Sequence, residues 1–274
     1  MKKIEYNSMR RNRNIDTERN GYGQNNKFVI PEPFHDMLCY WERLNNPLIF
    51  PLKINGHQIV LFIEPTRNDC VHACTPEDII TILNLVNRKH LQQIELFVLR
   101  QPKRKQEIIR PVWGRFAYYA NLGKYEGPAI ILEATPLNHV LHWKKNIDPY
   151  EAKELEALKK DGHKIEKSRR GYRIHTTIET VRNTQLYRTI PHEIGHAVDY
   201  LENCMVPSIN AETEEQKNYI SRIFEAKNPL DKEEFANRYA RNFYEKWSQK
   251  GMLPFSKKDN LSCLEKKFHR WFKN

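Results

Sequence analysis

The chain has 274 residues, 45 Lys and Arg against 34 Asp and Glu, a formal net charge of +11, and 39% hydrophobic residues. That length suits one large domain or two small ones, with enough apolar side chains for a sizeable core. No stretch approaches the ~20 apolar residues of a membrane span, and the odd, scattered set Cys39, Cys70, Cys74, Cys204 and Cys263 fits reduced thiols better than a disulfide framework.

Residues 1–26 are polar, basic and Asn-rich without apolar periodicity, which predicts a disordered basic arm. No apolar h-region follows its basic residues, so a secretory signal is not expected and a cytoplasmic location is; export would need a route that leaves no such mark. A folded domain is expected over 27–274, with 27–70 as a hairpin-bearing extension and 140–177 as an inserted helix and hairpin. A short helix is predicted at 34–44. Strands at 48–53 and 58–63 flank Asn55-Gly56, the strongest short hairpin signal. Thr75-Pro76-Glu77-Asp78 supplies an N-cap, a first-turn proline and acidic residues, opening a helix to about residue 87. Cys70-Val71-His72-Ala73-Cys74 has metal-binding residue types, but no second pair completes a four-ligand set.

Strands follow at 93–99, 112–119 and 128–133, then a helix at 149–160 that stops at Gly162. A second hairpin, 163–166 with 172–177, turns at Lys167-Ser168-Arg169-Arg170-Gly171. Next comes His192-Glu193-Ile194-Gly195-His196, the H-E-x-x-H pattern in which two imidazoles one turn apart share a zinc ion and the glutamate serves as general base. At about 100° per residue, Ile194, Ala197, Val198 and Leu201 form a core face. His192, His196 and Asp199 fall on the opposite side, with Glu193 on the flank. Thr189 or Ile190 is the expected N-cap, Pro191 suits the first turn, and Gly195 leaves room for a close neighbour. The plain alternative is an amphipathic helix with two exposed histidines. Asp199, one turn beyond His196, is placed to orient an imidazole N–H.

The element order predicts an α+β fold: a small mixed or antiparallel sheet packed on the H-E-x-x-H helix, then helices only. An enzyme that cuts extended chains needs an edge strand beside that helix, and 128–133 and 172–177 are the two candidates. A catalytic zinc usually has three protein ligands and one open position. Glu202 lies six residues after His196, a spacing that elsewhere carries a histidine after a glycine; here position 199 is Asp. A glutamate on a later helix is preferred. Asp231 reads as that helix's N-cap with Glu234 completing a capping box. Phe235, Tyr239, Phe243 and Trp247 form its buried stripe, which turns Glu233 inward and Glu234 outward. Glu225 is a further candidate.

The run His192-Glu193-Ile194-Gly195-His196-Ala197-Val198-Asp199, with Glu233-Glu234-Phe235-Ala236, resembles the catalytic domain of anthrax-lethal-factor-like zinc metallopeptidases of gluzincin type. Its E-x-x-A spacing is also similar to that of repressor-cleaving metallopeptidases of mobile elements. The resemblance covers about sixty residues. It implies a zincin-like fold, one Zn2+ per chain on His192, His196 and Glu233, Glu193 as catalytic base, and hydrolysis of a protein or peptide substrate. The family has a transition-state-stabilising tyrosine seven residues before the glutamate ligand, where this chain has Ala226. Tyr219, Tyr239 and His175 are the candidates to replace it.

Two other functions are compatible with the sequence. Residues 155–165 with 171–174 resemble the helix-then-wing segment of winged-helix regulators, and Lys167, Arg169 and Arg170 in the basic turn could contact nucleic-acid phosphates. The third is a zincin-like domain that only binds a partner, though binding alone needs no general base at Glu193.

Overall fold

Asn55 and Gly56 take φ of 49° and 78° and close a two-residue turn, as the sequence at that point requires. The hairpin they join is β1 (Leu48–Ile54) and β2 (His57–Ile63). The computed structural model describes residues 41–109, 112–137, 139–258 and 264–272, with 39 and 261. The arm at 1–26 and most of the helix expected at 34–44 lie outside the described residues.

After β2 come β3 (Cys70–Val71), α1 (Pro76–Leu83), α2 (Arg88–Leu91), β4 (Leu96–Arg100), α3 (Arg104–Ile109), β5 (Gly114–Leu122) and β6 (Tyr125–Glu133). The main sheet has five strands in the order β1-β2-β4-β6-β5, parallel in its middle and antiparallel at both ends. The 48–63 hairpin is thus an integral part of this sheet rather than an extension. Both faces are covered. Leu61, Ile63, Phe97, Leu99 and Ile130 pack toward the helices, and Phe62, Val98 and Ile131 pack on the other side. Two-sided burial explains the unbroken apolar runs of β4 and β6.

A short β7 (Thr135–Pro136) pairs with β3. Then β8 (Val140–Lys144), α4 (Pro149–Lys160), β9 (Lys164–Ser168) and β10 (Gly171–His175) form a separate three-stranded sheet, order β8-β10-β9, backed by Leu155 and Leu158 of α4. The helical part consists of α5 (Ile178–Thr184), α6 (Ile190–Tyr200), α7 (Val206–Ile209), α8 (Glu214–Ala226) and α9 (Pro229–Gln249). The mixed sheet beside the H-E-x-x-H helix, followed by helices, is the arrangement the sequence predicts.

Three expectations are corrected. The H-E-x-x-H helix does not begin at Thr189 or Ile190. Residues 178–209 are one helical run, with π-turns at Gln185–Thr189 and Leu201–Met205, and Thr189 is helical without a capping bond. The π-turn, in which the Ile190 N–H reaches back to the Gln185 carbonyl, lets Pro191 sit inside the run although it has no N–H to donate. Second, α9 starts at Pro229 with Asn228 as its N-cap, whose side chain accepts from Leu230 N, so Asp231 is already helical. Third, neither edge-strand candidate is an edge. Residues 128–133 lie in β6, between β4 and β5, and 172–175 lie in β10, the middle strand of the small sheet. The edge beside α6 is β5.

Gly195 is where α6 meets α9. A Cβ there would stand 2.7 Å from Ala236 Cα and 3.1 Å from its carbonyl oxygen. Backbone cannot turn aside as a rotamer does, so Gly195→Ala is expected to cost about 1–2 kcal/mol net, overpacking outweighing the gain in helix propensity. A urea titration with unchanged or raised stability would contradict this close approach.

Candidate metal centre

The π-turn and Pro191 set the phase of α6 so that His192 and His196 project one turn apart from a helix otherwise sealed into the core. Their Nε2 atoms are 3.1 Å apart and the rings meet at 89°. Glu233 reaches them from α9, with Oε2 at 3.3 Å from His192 Nε2 and Oε1 at 3.5 Å from His196 Nε2. Tetrahedral coordination with bonds of about 2.05 Å separates ligand atoms by about 3.3 Å. Two ring nitrogens and the two oxygens of one carboxylate thus converge at spacings close to that value, and two imidazoles with a carboxylate form a zinc-type donor set. Among the described residues, the grouping of His, Cys, Asp and Glu close enough to hold a metal is His192, Glu193 and His196. The segment Cys70–Cys74 is not such a group: His72 is buried and its Nε2 bonds the Glu64 carbonyl at 2.8 Å.

The site's electrostatics follow from this crowding. Bonds from His192 and His196 hold the Glu233 carboxyl well below the usual carboxylate range. Burial pushes the His192 imidazole down, but Glu233, Glu193 and Asn237 outweigh it and the net shift is upward. Glu193 is 7% exposed. Burial raises its pKa against the pull of the two histidines and, more weakly, of the Phe116 N–H of β5. A buried carboxylate whose pKa is raised by burial, next to a cluster of donor groups, marks a candidate functional site.

The ladder register orients β5. The Trp113 carbonyl accepts from Glu133 N in β6, whereas the Phe116 N–H turns away from β6 toward Glu193. Strand alternation then leaves the backbone groups of Gly114 and Phe116 on the outer edge, facing the site. One residue further on, β5 has a bulge: Ala117 pairs Ala129 and Ala120 pairs Gly127, so Tyr118 and Tyr119 together oppose Pro128. The missing proline N–H makes that position a natural break in the ladder. Tyr118 packs edge-on against Tyr200 and Phe224, and burial, with Asp199 and Glu233 nearby, pushes its hydroxyl up to about 12.

Other residues singled out by sequence fall elsewhere. Asp199 is fully buried, but its oxygens meet Lys227 Nζ at 2.6 and 2.9 Å and Asn203 Nδ2 at 2.8 Å. The imidazole partner is instead Asn237, whose Oδ1 lies 3.0 Å from His192 Nδ1. Asn237 follows Glu233 by one turn of α9, a spacing that would have marked it. Glu202 and Glu225 are exposed, and Glu202 acts on His90 and Tyr239 rather than on the histidine pair. Of the candidate transition-state residues, the Tyr239 hydroxyl bonds His90 Nδ1 at 2.9 Å, His175 Nε2 faces Glu166 at 3.1 Å, and Tyr219 is 65% exposed on α8. Lys167, Arg169 and Arg170 are exposed on the β9–β10 hairpin, and the element that precedes α4 is the strand β8 rather than a helix.

Comparison of the chain with known protein families, with curated proteins and with solved structures finds no match. The site thus defines a potential metal-binding protein with an H-E-x-x-H cluster, and no relative narrows this further. No helix of the described residues is long and apolar enough to cross a membrane.

Proposed function

We propose that the chain is a zinc-dependent endopeptidase that binds one Zn2+ on His192, His196 and Glu233 and uses Glu193 as general base. The observation that carries this reading is the buried Glu193 carboxylate next to three converging donor groups. A domain that only bound metal or a partner would need no such group. When bound, zinc supplies a Lewis acid that brings a water's pKa to roughly 7 and polarises a carbonyl. Glu193 takes the proton from the attacking water and delivers it to the leaving amine. An extended protein segment adds to β5 through the outer N–H and C=O of Gly114 and the C=O of Phe116, whose N–H faces Glu193, which sets its scissile bond over Glu193.

The first test is metal content. Protein purified from zinc-supplemented medium should hold about one zinc, measured by elemental mass spectrometry. His196→Ala and Glu233→Ala should each weaken zinc by more than the roughly 10–100-fold typical of outer-shell partners. Wild-type protein that takes up no zinc, or variants that hold it as tightly, would sink the reading.

A further inference from the structure

Glu233 stands in the part of α9 that packing holds least. The buried residues of α9 begin at Ala236, and Pro229, Leu230 and Asp231 of its first turn are exposed. The close contact with α6 is at Ala236, against Gly195. A single such contact leaves a helix able to pivot, and unburied helix ends fray. A tilt of about 10° about Ala236 would shift the backbone at Glu233 by roughly 0.8 Å, given the rise of 1.5 Å per residue. That is several times the ~0.2 Å tolerance of a metal–ligand distance. Keeping Glu233 in place therefore takes a second fixed point on its N-terminal side. Lys227 provides one. Lys227 and Asn228, both with non-helical backbone, are the whole link between α8 and α9. The Lys227 ammonium donates to Asp199 Oδ1 at 2.6 Å and to Oδ2 at 2.9 Å, and it lies 5.6 Å from the ring centre of Phe235 on α9. Asp199 is fully buried on α6, one turn beyond Gly195, and Asn203 Nδ2 donates to its Oδ1 at 2.8 Å.

Resting on the metal reading above, we infer that Lys227 is a positioning residue for the metal centre: its bond to Asp199 pins the start of α9 to the helix that carries both histidines, and so holds Glu233 within reach of the same cation. Helix α6 then bears the two imidazoles and both anchor points, Gly195 and Asp199. Glu233 lies between the matching points, Lys227 and Ala236, so its place is set relative to the histidines themselves. Burial makes the pin firm. Asp199 has no water to turn to, and releasing Lys227 would strand its charge. An exposed ion pair at the same place would exchange with solvent and fix little.

The experiment is a double-mutant cycle between the pin and Glu233, read by zinc affinity in competition with a chromophoric chelator on the full-length protein. Lys227→Met combined with Asp199→Leu removes the pin without leaving a buried charge alone. This pair is expected to weaken zinc roughly 10-fold, within the range of outer-shell partners. Once Glu233→Ala is present, it should have no further effect. Lys227→Arg keeps the charge and the reach, and should stay within about 3-fold of wild type. Should the Met and Leu pair not fold, Asp199→Asn carries the same cycle: it keeps the shape with a neutral acceptor, and the expected loss is roughly 3-fold. A general loosening of the fold would weaken zinc equally with and without Glu233. That result, or unchanged affinity when the pin is removed, would overturn the inference alone. Wild-type protein without zinc affinity, or Glu233→Ala that keeps it, would overturn the metal reading and this inference together.

Discussion

Glu193→Gln is expected to slow cleavage by about 10^2–10^4-fold, the usual worth of a general base, while zinc content stays at the wild-type level. The substitution preserves shape, and the glutamine carbonyl oxygen still faces the Phe116 N–H, so the β5–α6 contact survives. What disappears is the ability to take a proton. In the native chain that ability is tuned by burial, which raises the carboxyl pKa, against His192 and His196, which lower it. The proposed carboxylate ligand is Glu233, which meets the Nε2 atoms of both histidines, so the variant loses no proposed ligand. Mass spectrometry of products from an unfolded protein such as casein, run beside elemental analysis, measures both quantities on one preparation. Cleavage unimpaired in Glu193→Gln would sink the peptidase mechanism, even with zinc in place. Zinc lost together with activity would mean instead that Glu193 helps to hold the metal.

The readable parts of this site were those fixed by local periodicity. His192, Glu193 and His196 are set by helical spacing, and Glu233 by the apolar stripe of a second helix. Burial of Asp199 was not readable in this way. The wheel placed it on a polar face, but that face is closed by Lys227, 28 residues later, and by the approach of α9 at Gly195. The edge strand shows the same limit. The 125–133 run is more apolar than 114–122 because it is interior, and only strand order reveals that the more polar Gly-Arg-Phe-Ala-Tyr-Tyr run is the edge. Helix starts were misread where a stronger signal lay nearby. Asn228-Pro229 outranked Asp231, and Pro191 marked a π-turn within a longer helix rather than a first turn. The His192–Asn237 contact spans 45 positions of sequence and depends on the packing of α6 on α9, which no local pattern encodes.

The largest stability effect is expected far from the metal, at Arg182→Met, with a loss of about 3–5 kcal/mol, the usual cost of breaking one side of a buried ion pair. Asp78 is fully buried on α1, and Arg182 of α5 is 4% exposed. The guanidinium grips both carboxylate oxygens, Nη2 to Oδ1 at 2.8 Å and Nε to Oδ2 at 3.0 Å. The remaining lone pairs of Asp78 take the backbone N–H groups of Thr75, at 3.2 Å, and Lys258, at 3.0 Å. One carboxylate thus caps α1, anchors the C-terminal segment and fixes the start of the helical run that becomes α6. Methionine fills much of the arginine's volume but leaves the carboxylate without its cation in a dry site. Chemical denaturation of the metal-free protein measures the loss, and zinc affinity should fall with it if α5 positions α6. Asp78→Ala alone should cost a comparable amount, because it strands the guanidinium and removes the cap together. The double variant should cost less than the sum, since neither charge is then left alone. Simple additivity, or a loss below about 1 kcal/mol, typical of exposed pairs, would show that the pair does not act as the clamp of the helical run.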